Sequence, residues 1–88
     1  MIKAELKIQN KLGLHARPAA LFVQEAGKFE SSIMVSKDDV EVNGKSVMGM
    51  MMLAAECGST LKLSIKGKDE QQALAALQQL FNNKFNED

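Results

Sequence analysis

The 88 residues are enough for one small domain with a modest core. Eleven basic and eleven acidic residues leave no formal net charge, which argues against a nucleic-acid binder driven by bulk charge. One cysteine and one histidine cannot form an internal disulfide or a metal site of three such ligands, so we expect no metal and no cofactor. No apolar run approaches the ~20 residues of a membrane-spanning helix, and we expect a cytoplasmic protein without membrane insertion.

Polar and apolar residues alternate at the start of the chain. Ile2, Ala4, Leu6 and Ile8 share one side of this alternation. The pattern predicts a strand with one buried face. A turn over residues 10–13 follows it.

The next stretch contains the only histidine and the only proline, His15 and Pro18. Gly13 permits a turn with positive φ or a close backbone approach, and proline suits the first turn of a helix. The free amides nearest the histidine are then those of Ala16 and Arg17, at a helix end that attracts anions. The arrangement indicates a histidine that handles a phosphoryl group. The alternative is a histidine that only caps the helix or fills a hydrogen-bonding slot.

A helix is predicted over residues 16–28. Ala19, Phe22, Val23 and Ala26 fall at i, i+3, i+4 and i+7 and form one core-facing stripe. Leu21 lies off that stripe, on the side of the helix that carries Arg17 and Gln24, and we expect it to be exposed beside the candidate site.

Two short alternating segments, residues 32–36 and 40–43, predict a hairpin joined by a polar link. Ser46 then precedes a short apolar helix of about two turns, where serine is a favoured N-cap. One face of this helix carries Met50, Leu53 and Ala54. Because so short a helix cannot bury two apolar faces, we expect the other to be exposed for partners, with core packing as the alternative. That second face consists of Val47, Met48, Met51 and Met52.

Alternation over residues 61–66 predicts a last strand, and a last helix is predicted to reach about residue 83. Asp69 and Gln72 resemble a capping box at its start. Phe85 is expected to pack back on the domain, and residues 86–88 are expected to fray. The four half-polar strands and three helices predict a two-layer α+β sandwich with the helices on one face of the sheet.

Two blocks carry a resemblance to a known family. Residues 13–19, Gly-Leu-His-Ala-Arg-Pro-Ala, resemble the active-site signature of the histidine-containing phosphocarrier (HPr) family of the bacterial phosphotransferase system. Residues 43–49, Asn-Gly-Lys-Ser-Val-Met-Gly, resemble its regulatory serine segment. The resemblance implies one domain, 1–88, with an antiparallel sheet in the order first, fourth, second, third.

The resemblance also implies a stoichiometric carrier rather than an enzyme. Enzyme I would pass phosphate from phosphoenolpyruvate to Nδ1 of His15, and an enzyme IIA protein would receive it. Arg17 and the backbone amide of Ala16 would stabilise the phosphoryl group, and a serine kinase or phosphorylase would act on Ser46. The protein is expected to be a monomer. Its partners are expected to contact Ala20, Leu21, Gln24, Val47, Met48, Met51 and Met52.

Two positions depart from the family pattern. Leu12 stands where many sugar-transport members have a polar residue, and Ala16 lacks a hydroxyl, although many members of the family also have alanine there. The phosphoryl group would therefore depend more on backbone amides and Arg17. Residues 10–13 and 80–88 resemble the nitrogen-related branch, so sugar uptake and nitrogen-related regulation both remain open. A further alternative is a purely regulatory binding module controlled at Ser46, in which His15 only caps a helix.

Overall fold

The computed structural model describes residues 1–87, in which four strands and three helices follow one another in the order strand, helix, strand, strand, helix, strand, helix. A single turn of helix at Lys84–Asn86, here called the 84–86 turn, follows the last helix. The elements are β1 (Ile2–Lys7), α1 (Ala16–Ala26), β2 (Ser32–Lys37), β3 (Val40–Asn43), α2 (Val47–Met52), β4 (Thr60–Lys66) and α3 (Glu70–Asn82).

The strands form one antiparallel sheet in the order β1-β4-β2-β3. Its register places apolar residues opposite one another: Leu6 pairs with Leu61, and Ile33 pairs with Ile65. Because side chains alternate across a strand, this register collects the apolar set on one face. The predicted α+β sandwich and the strand order implied by the family resemblance are both confirmed.

The helices meet the sheet in one core. Phe22 of α1, Met50 of α2 and Phe81 of α3 are almost completely buried. The rings of Phe22 and Phe81 meet edge to face, with centroids 6.1 Å apart. Full burial of each such side chain contributes roughly 1.5–3 kcal/mol, so these three residues hold all three helices against the same face of the sheet.

The helix lengths differ slightly from prediction. α1 ends at Ala26, two residues earlier than expected, and α2 ends at Met52. The placement of Ala54 on the buried face is wrong: this residue is exposed and has φ of 50°. The backbone has left the helix by then, so helical periodicity no longer determines its direction. Leu21 was expected to be exposed, but it is half-buried and packs against the core.

The predicted capping box at the start of α3 is wrong. The Asp69 side chain makes no cap hydrogen bond to α3. It accepts hydrogen bonds from the backbone amides of Glu30 and Ser31, at 2.9 and 3.0 Å, and from the Ser31 hydroxyl. Ser31 is buried, and its polar groups need partners that the nearby start of α3 supplies. Asp69 therefore ties the α1–β2 connection to α3.

The chain folds back onto the domain after α3. Phe85 is fully buried, as predicted, and its ring centroid lies 4.9 Å from that of Phe81. The expected fraying is wrong for Glu87, whose carboxylate forms two side-chain contacts described below. Asp88 lies outside the described residues.

Asp69 generates a prediction about acid stability. The Ser31 hydroxyl, followed by the Glu30 amide, lowers the pKa of Asp69 below its ordinary value of 3.8. A carboxyl whose pKa is lowered by folding stabilises the fold when the pH is above the pKa that the group has in the unfolded chain. This contribution is lost as the pH falls through the pKa that the group has in the folded protein. Asp69→Asn should therefore lower the melting temperature near neutral pH, and the difference from wild type should shrink below about pH 4.

Circular dichroism melts across this pH range measure the effect. The matched control is Asp39→Asn, which removes a charge from an exposed residue of the β2–β3 turn. If the melting temperatures of both variants fall by the same amount at every pH, the Asp69 carboxylate does not stabilise the fold in this way.

Candidate functional site

His15 stands at the N-cap position of α1. Its backbone is extended, with φ of −83° and ψ of −171°, and its carbonyl accepts the Ala19 amide at 3.0 Å. Its side chain makes no cap hydrogen bond, so the alternative in which the imidazole only caps the helix is wrong. The side chain is 38% exposed, which leaves the ring accessible from solvent.

The loop before His15 is fixed against the segment that follows α2. Gly13 has φ of 73°, and a Cβ there would lie 2.6 Å from the carbonyl oxygen of Ala55. The next amide, of Leu14, donates to that same oxygen at 2.8 Å. Both roles expected for Gly13, positive φ and close approach, are confirmed. The beginning of α1 and the end of α2 are therefore held side by side.

The first turn of α1 is electropositive. Ala16 and Arg17 are its first two residues, and both are exposed. The amides of a first helical turn have no carbonyl four residues earlier within the helix, and the macrodipole adds partial positive charge there. Pro18 is buried and has no N–H to leave unsatisfied. This end of α1 suits an anion next to His15.

Glu87 is the residue beside His15 that the sequence did not indicate. Its Oε2 lies 2.8 Å from Nε2 of His15, although 72 residues separate the two along the chain. Its Oε1 accepts from Nδ2 of Asn10 at 2.9 Å. No local pattern marks this contact. The one available signal was Phe85, an apolar residue whose burial brings Glu87 back to the domain.

An open groove of about 460 Å³ borders His15. Leu12, which is 75% exposed, lines it together with Glu56 and Cys57. A larger groove of about 550 Å³ lies on the polar face of the sheet and does not border the histidine. The His15 groove is open to the surface, as a site reached by another macromolecule requires.

α2 exposes the apolar face that its length predicted. The α2 patch consists of Val47, Met48, Met51 and Met52, which are 37%, 76%, 46% and 70% exposed. Core packing is wrong for these four residues and correct for Met50. Because α2 packs against α1, the α2 patch lies on the helix beside the one that His15 caps with its backbone.

The other residues expected to meet partners lie on α1. Gln24 is exposed, as is Arg17, while Ala20 and Leu21 are half-buried. At the start of α2, Oγ of Ser46 accepts the Gly49 amide at 3.1 Å, which confirms the predicted N-cap. Ser46 thus stands directly before the α2 patch.

Over residues 1–87, no helix is long and apolar enough to cross a membrane. In the same part of the chain, no three His, Cys, Asp or Glu side chains are grouped as a metal site requires.

A small open-faced sandwich with a solvent-accessible histidine at a helix start is suited to receive a group on that side chain and to present it to other proteins. The model of one family, described as PTS HPr component phosphorylation site, matches residues 2–83. The chain belongs to the HPr family, and it is a phosphocarrier of the phosphotransferase system, not an enzyme.

Relatives and solved structures agree with this assignment. Phosphocarrier protein HPr of Treponema pallidum is 50% identical over 88 residues, covering all of both chains. The HPr-like protein Crh of Bacillus subtilis is 48% identical over 77 residues, 88% of this chain and 91% of Crh. The structure of HPr-C-His from Thermoanaerobacter tengcongensis superposes with a TM-score of 0.95 at 52% identity, covering 100% of this chain and 99% of the other. An HPr from the same organism has also been solved as a dimer, at 53% identity and a TM-score of 0.77, over 97% of this chain and 98% of that one.

Proposed function

We propose that His15 carries the phosphoryl group. Enzyme I, charged from phosphoenolpyruvate, transfers it to Nδ1, and an enzyme IIA protein then removes it. The observation that carries this proposal is the exposed imidazole at the positive end of α1, beside an apolar surface that has no partner within residues 1–87. We propose that the protein works in the cytoplasm as a monomer, with residues 1–88 acting as one domain.

The surroundings of His15 suit both states of the carrier. Before transfer, the open ring presents a nucleophilic nitrogen to the donor. After transfer, the first-turn amides of α1 and the Arg17 guanidinium stabilise the phosphoryl oxygens by charge-assisted hydrogen bonds. Leu12 and Ala16 bring no hydroxyl to the site, so stabilisation of the phosphoryl oxygens depends more on the amides and Arg17.

The two partners share one docking surface, because both must reach the same histidine. The surface joins the exposed residues of α1 to the α2 patch. Methionine side chains are flexible and polarisable, so they adapt to partners of different shape. Two different proteins can therefore use the same residues in succession. Which branch the carrier serves, sugar uptake or nitrogen-related regulation, is decided by the enzyme IIA protein that accepts its phosphoryl group.

Loss of the histidine should abolish phosphorylation. His15→Ala should remove the acid-labile mass gain seen by mass spectrometry after incubation with phosphoenolpyruvate and enzyme I, while the circular dichroism spectrum stays that of wild type. Arg17→Ala should retain phosphorylation but slow it about tenfold to a hundredfold, because one charge-assisted contact of ~1.5–3 kcal/mol is lost. Phosphorylation of the His15→Ala variant would contradict the proposal, and an unchanged rate for Arg17→Ala would make Arg17 an ordinary surface residue.

A charge in the α2 patch should weaken docking without unfolding the domain. Met48→Asp puts a carboxylate on a side chain that is 76% exposed, so stability should change little, but docking would desolvate that charge. Titration calorimetry with enzyme I and thermal melts measure the two effects. Val40→Asp, which places the same charge on another exposed apolar residue, in β3, is the control. A large stability loss in Met48→Asp with unchanged affinity would contradict this assignment.

A second candidate function is a regulatory module controlled at Ser46. Similarity to the Bacillus subtilis protein described as catabolite repression HPr favours it, with 45% identity and a TM-score of 0.65 over 91% of this chain and 95% of that one. Phosphorylation by a serine kinase would add roughly −1.5 to −2 charges beside Val47 and Met48. The positive end of α2 tolerates this charge, but docking of enzyme I would have to desolvate it. Regulation by phosphorylation of Ser46 and phosphoryl transfer through His15 can therefore coexist in one domain.

The two roles of Ser46 separate by substitution. Ser46→Ala should lose the cap and about 1 kcal/mol of unfolding free energy, with phosphoryl transfer nearly intact. Ser46→Asp should slow His15 phosphorylation, because a charge enters the docking surface. Urea unfolding and transfer rates at matched low salt measure the two effects. Equal rates for wild type and Ser46→Asp would leave Ser46 as a cap only.

A further inference from the structure

We propose that Glu87 is the positioning residue of His15: its carboxylate holds the proton on Nε2 and so leaves Nδ1 as the phosphoryl acceptor. This inference rests on the proposed function, because it concerns the nitrogen that receives the phosphoryl group. It adds a residue that lies outside both sequence blocks resembling the family.

The contact itself determines the tautomer. Oε2 of Glu87 lies 2.8 Å from Nε2, which is hydrogen-bond distance. An ionised carboxylate only accepts hydrogen bonds, so Nε2 must be the donor. A neutral imidazole carries one N–H, so its other nitrogen, Nδ1, keeps a free lone pair. No side chain within residues 1–87 forms a hydrogen bond with Nδ1, which therefore remains open to a donor phosphoryl group.

Asn10, in the loop before His15, holds the Glu87 side chain in place. Nδ2 of Asn10 donates to Oε1 of Glu87 at 2.9 Å and to the carbonyl of Gly13 at 2.6 Å. Asn10 is completely buried, and the Glu87 side chain is only 13% exposed. The carboxylate is therefore a bridge between a buried amide and the ring. An exposed ion pair, in contrast, gains little from a single geometry.

The backbone before Glu87 also shows that tertiary contacts determine its position. Lys84, Phe85 and Asn86 have φ of 55°, 53° and 61°. Left-handed backbone is unfavourable for residues other than glycine, so three such residues in succession require compensation. The buried Phe85 ring and the two contacts of Glu87 provide it. The 84–86 turn thus places the Glu87 carboxylate next to the His15 ring.

This arrangement lets transfer proceed without moving a proton. The Nδ1 lone pair attacks phosphorus, the new N–P bond forms, and the old bond to phosphorus breaks with its electron pair leaving on the donor. The ring then carries phosphorus on Nδ1, hydrogen on Nε2 and one positive charge, which the Glu87 carboxylate balances. Onward transfer returns the electron pair to Nδ1. The carboxylate contacts the opposite ring nitrogen from the one that receives the phosphoryl group.

The ¹⁵N chemical shifts of the His15 ring test the inference, because they report which nitrogen carries the proton. They are measured in the free full-length protein, together with initial rates of phosphorylation by enzyme I. Glu87→Ala removes the acceptor, while Glu87→Gln keeps the shape and an accepting oxygen but loses the charge. The matched control is Glu56→Ala, which removes a carboxylate from the same groove where no hydrogen bond to His15 exists.

Wild type and Glu56→Ala should show the Nε2–H tautomer as the dominant form. Glu87→Ala should shift the ring toward a mixture of tautomers and slow phosphorylation about threefold to tenfold, while Glu87→Gln should be intermediate. A melting curve of each variant checks that the protein is folded under the conditions of the measurement, because unfolding would also break the contact and change the tautomer.

An unchanged tautomer in Glu87→Ala, or equal effects of Glu87→Ala and Glu56→Ala, would overturn the inference. Should Glu87→Ala fail to fold, Glu87→Leu, which keeps most of the side-chain bulk but has no accepting oxygen, decides it in the same way. The tautomer measurement needs no partner protein. A wild type that enzyme I does not phosphorylate would therefore count against the proposed function and not against the contact between Glu87 and His15.

Discussion

The close approach of Gly13 to the Ala55 carbonyl joins the two halves of the candidate site. One half is the beginning of α1 with His15, and the other is α2 with its exposed apolar patch. The absence of a Cβ at Gly13 permits the 2.8 Å hydrogen bond from the next amide to that carbonyl. Because α1 also packs against α2, this contact fixes the beginning of α1 against the segment that follows the α2 patch.

Two polar side chains make comparable connections elsewhere. Asp69 links α3 to the α1–β2 connection, and Asn10 links the loop before α1 to Glu87. Each satisfies groups that the fold buries, and an unmade hydrogen bond at such a place is costly. In a domain with a modest core, these hydrogen bonds fix the relative positions of the segments that they join. Apolar packing alone does this less well, because hydrogen bonds are directional and hydrophobic contacts are not.

Local sequence patterns predicted most of the fold and part of the candidate site. Alternation identified the strands because the side-chain period of a strand is two, and Ser46 was recognised as an N-cap from its position before an apolar run. The length of α2 indicated that one of its apolar faces is exposed, with core packing as the alternative, and the structure decided between the two. The errors lie where periodicity stops: Ala54 follows the end of α2, and Asp69 has partners in another part of the chain.

The sequence by itself determined the elements, their order, the face that each buries and the histidine at a helix start, because these depend on neighbours a few residues away. Strand order and family came from the motif resemblance rather than from periodicity. Only the tertiary structure decided that Glu87 meets His15. That contact joins residues 72 positions apart, and it depends on the burial of Phe85, a left-handed turn and an amide presented by another loop. Such a contact has no local signature, since it exists only when the sheet and α3 have brought both ends of the chain together.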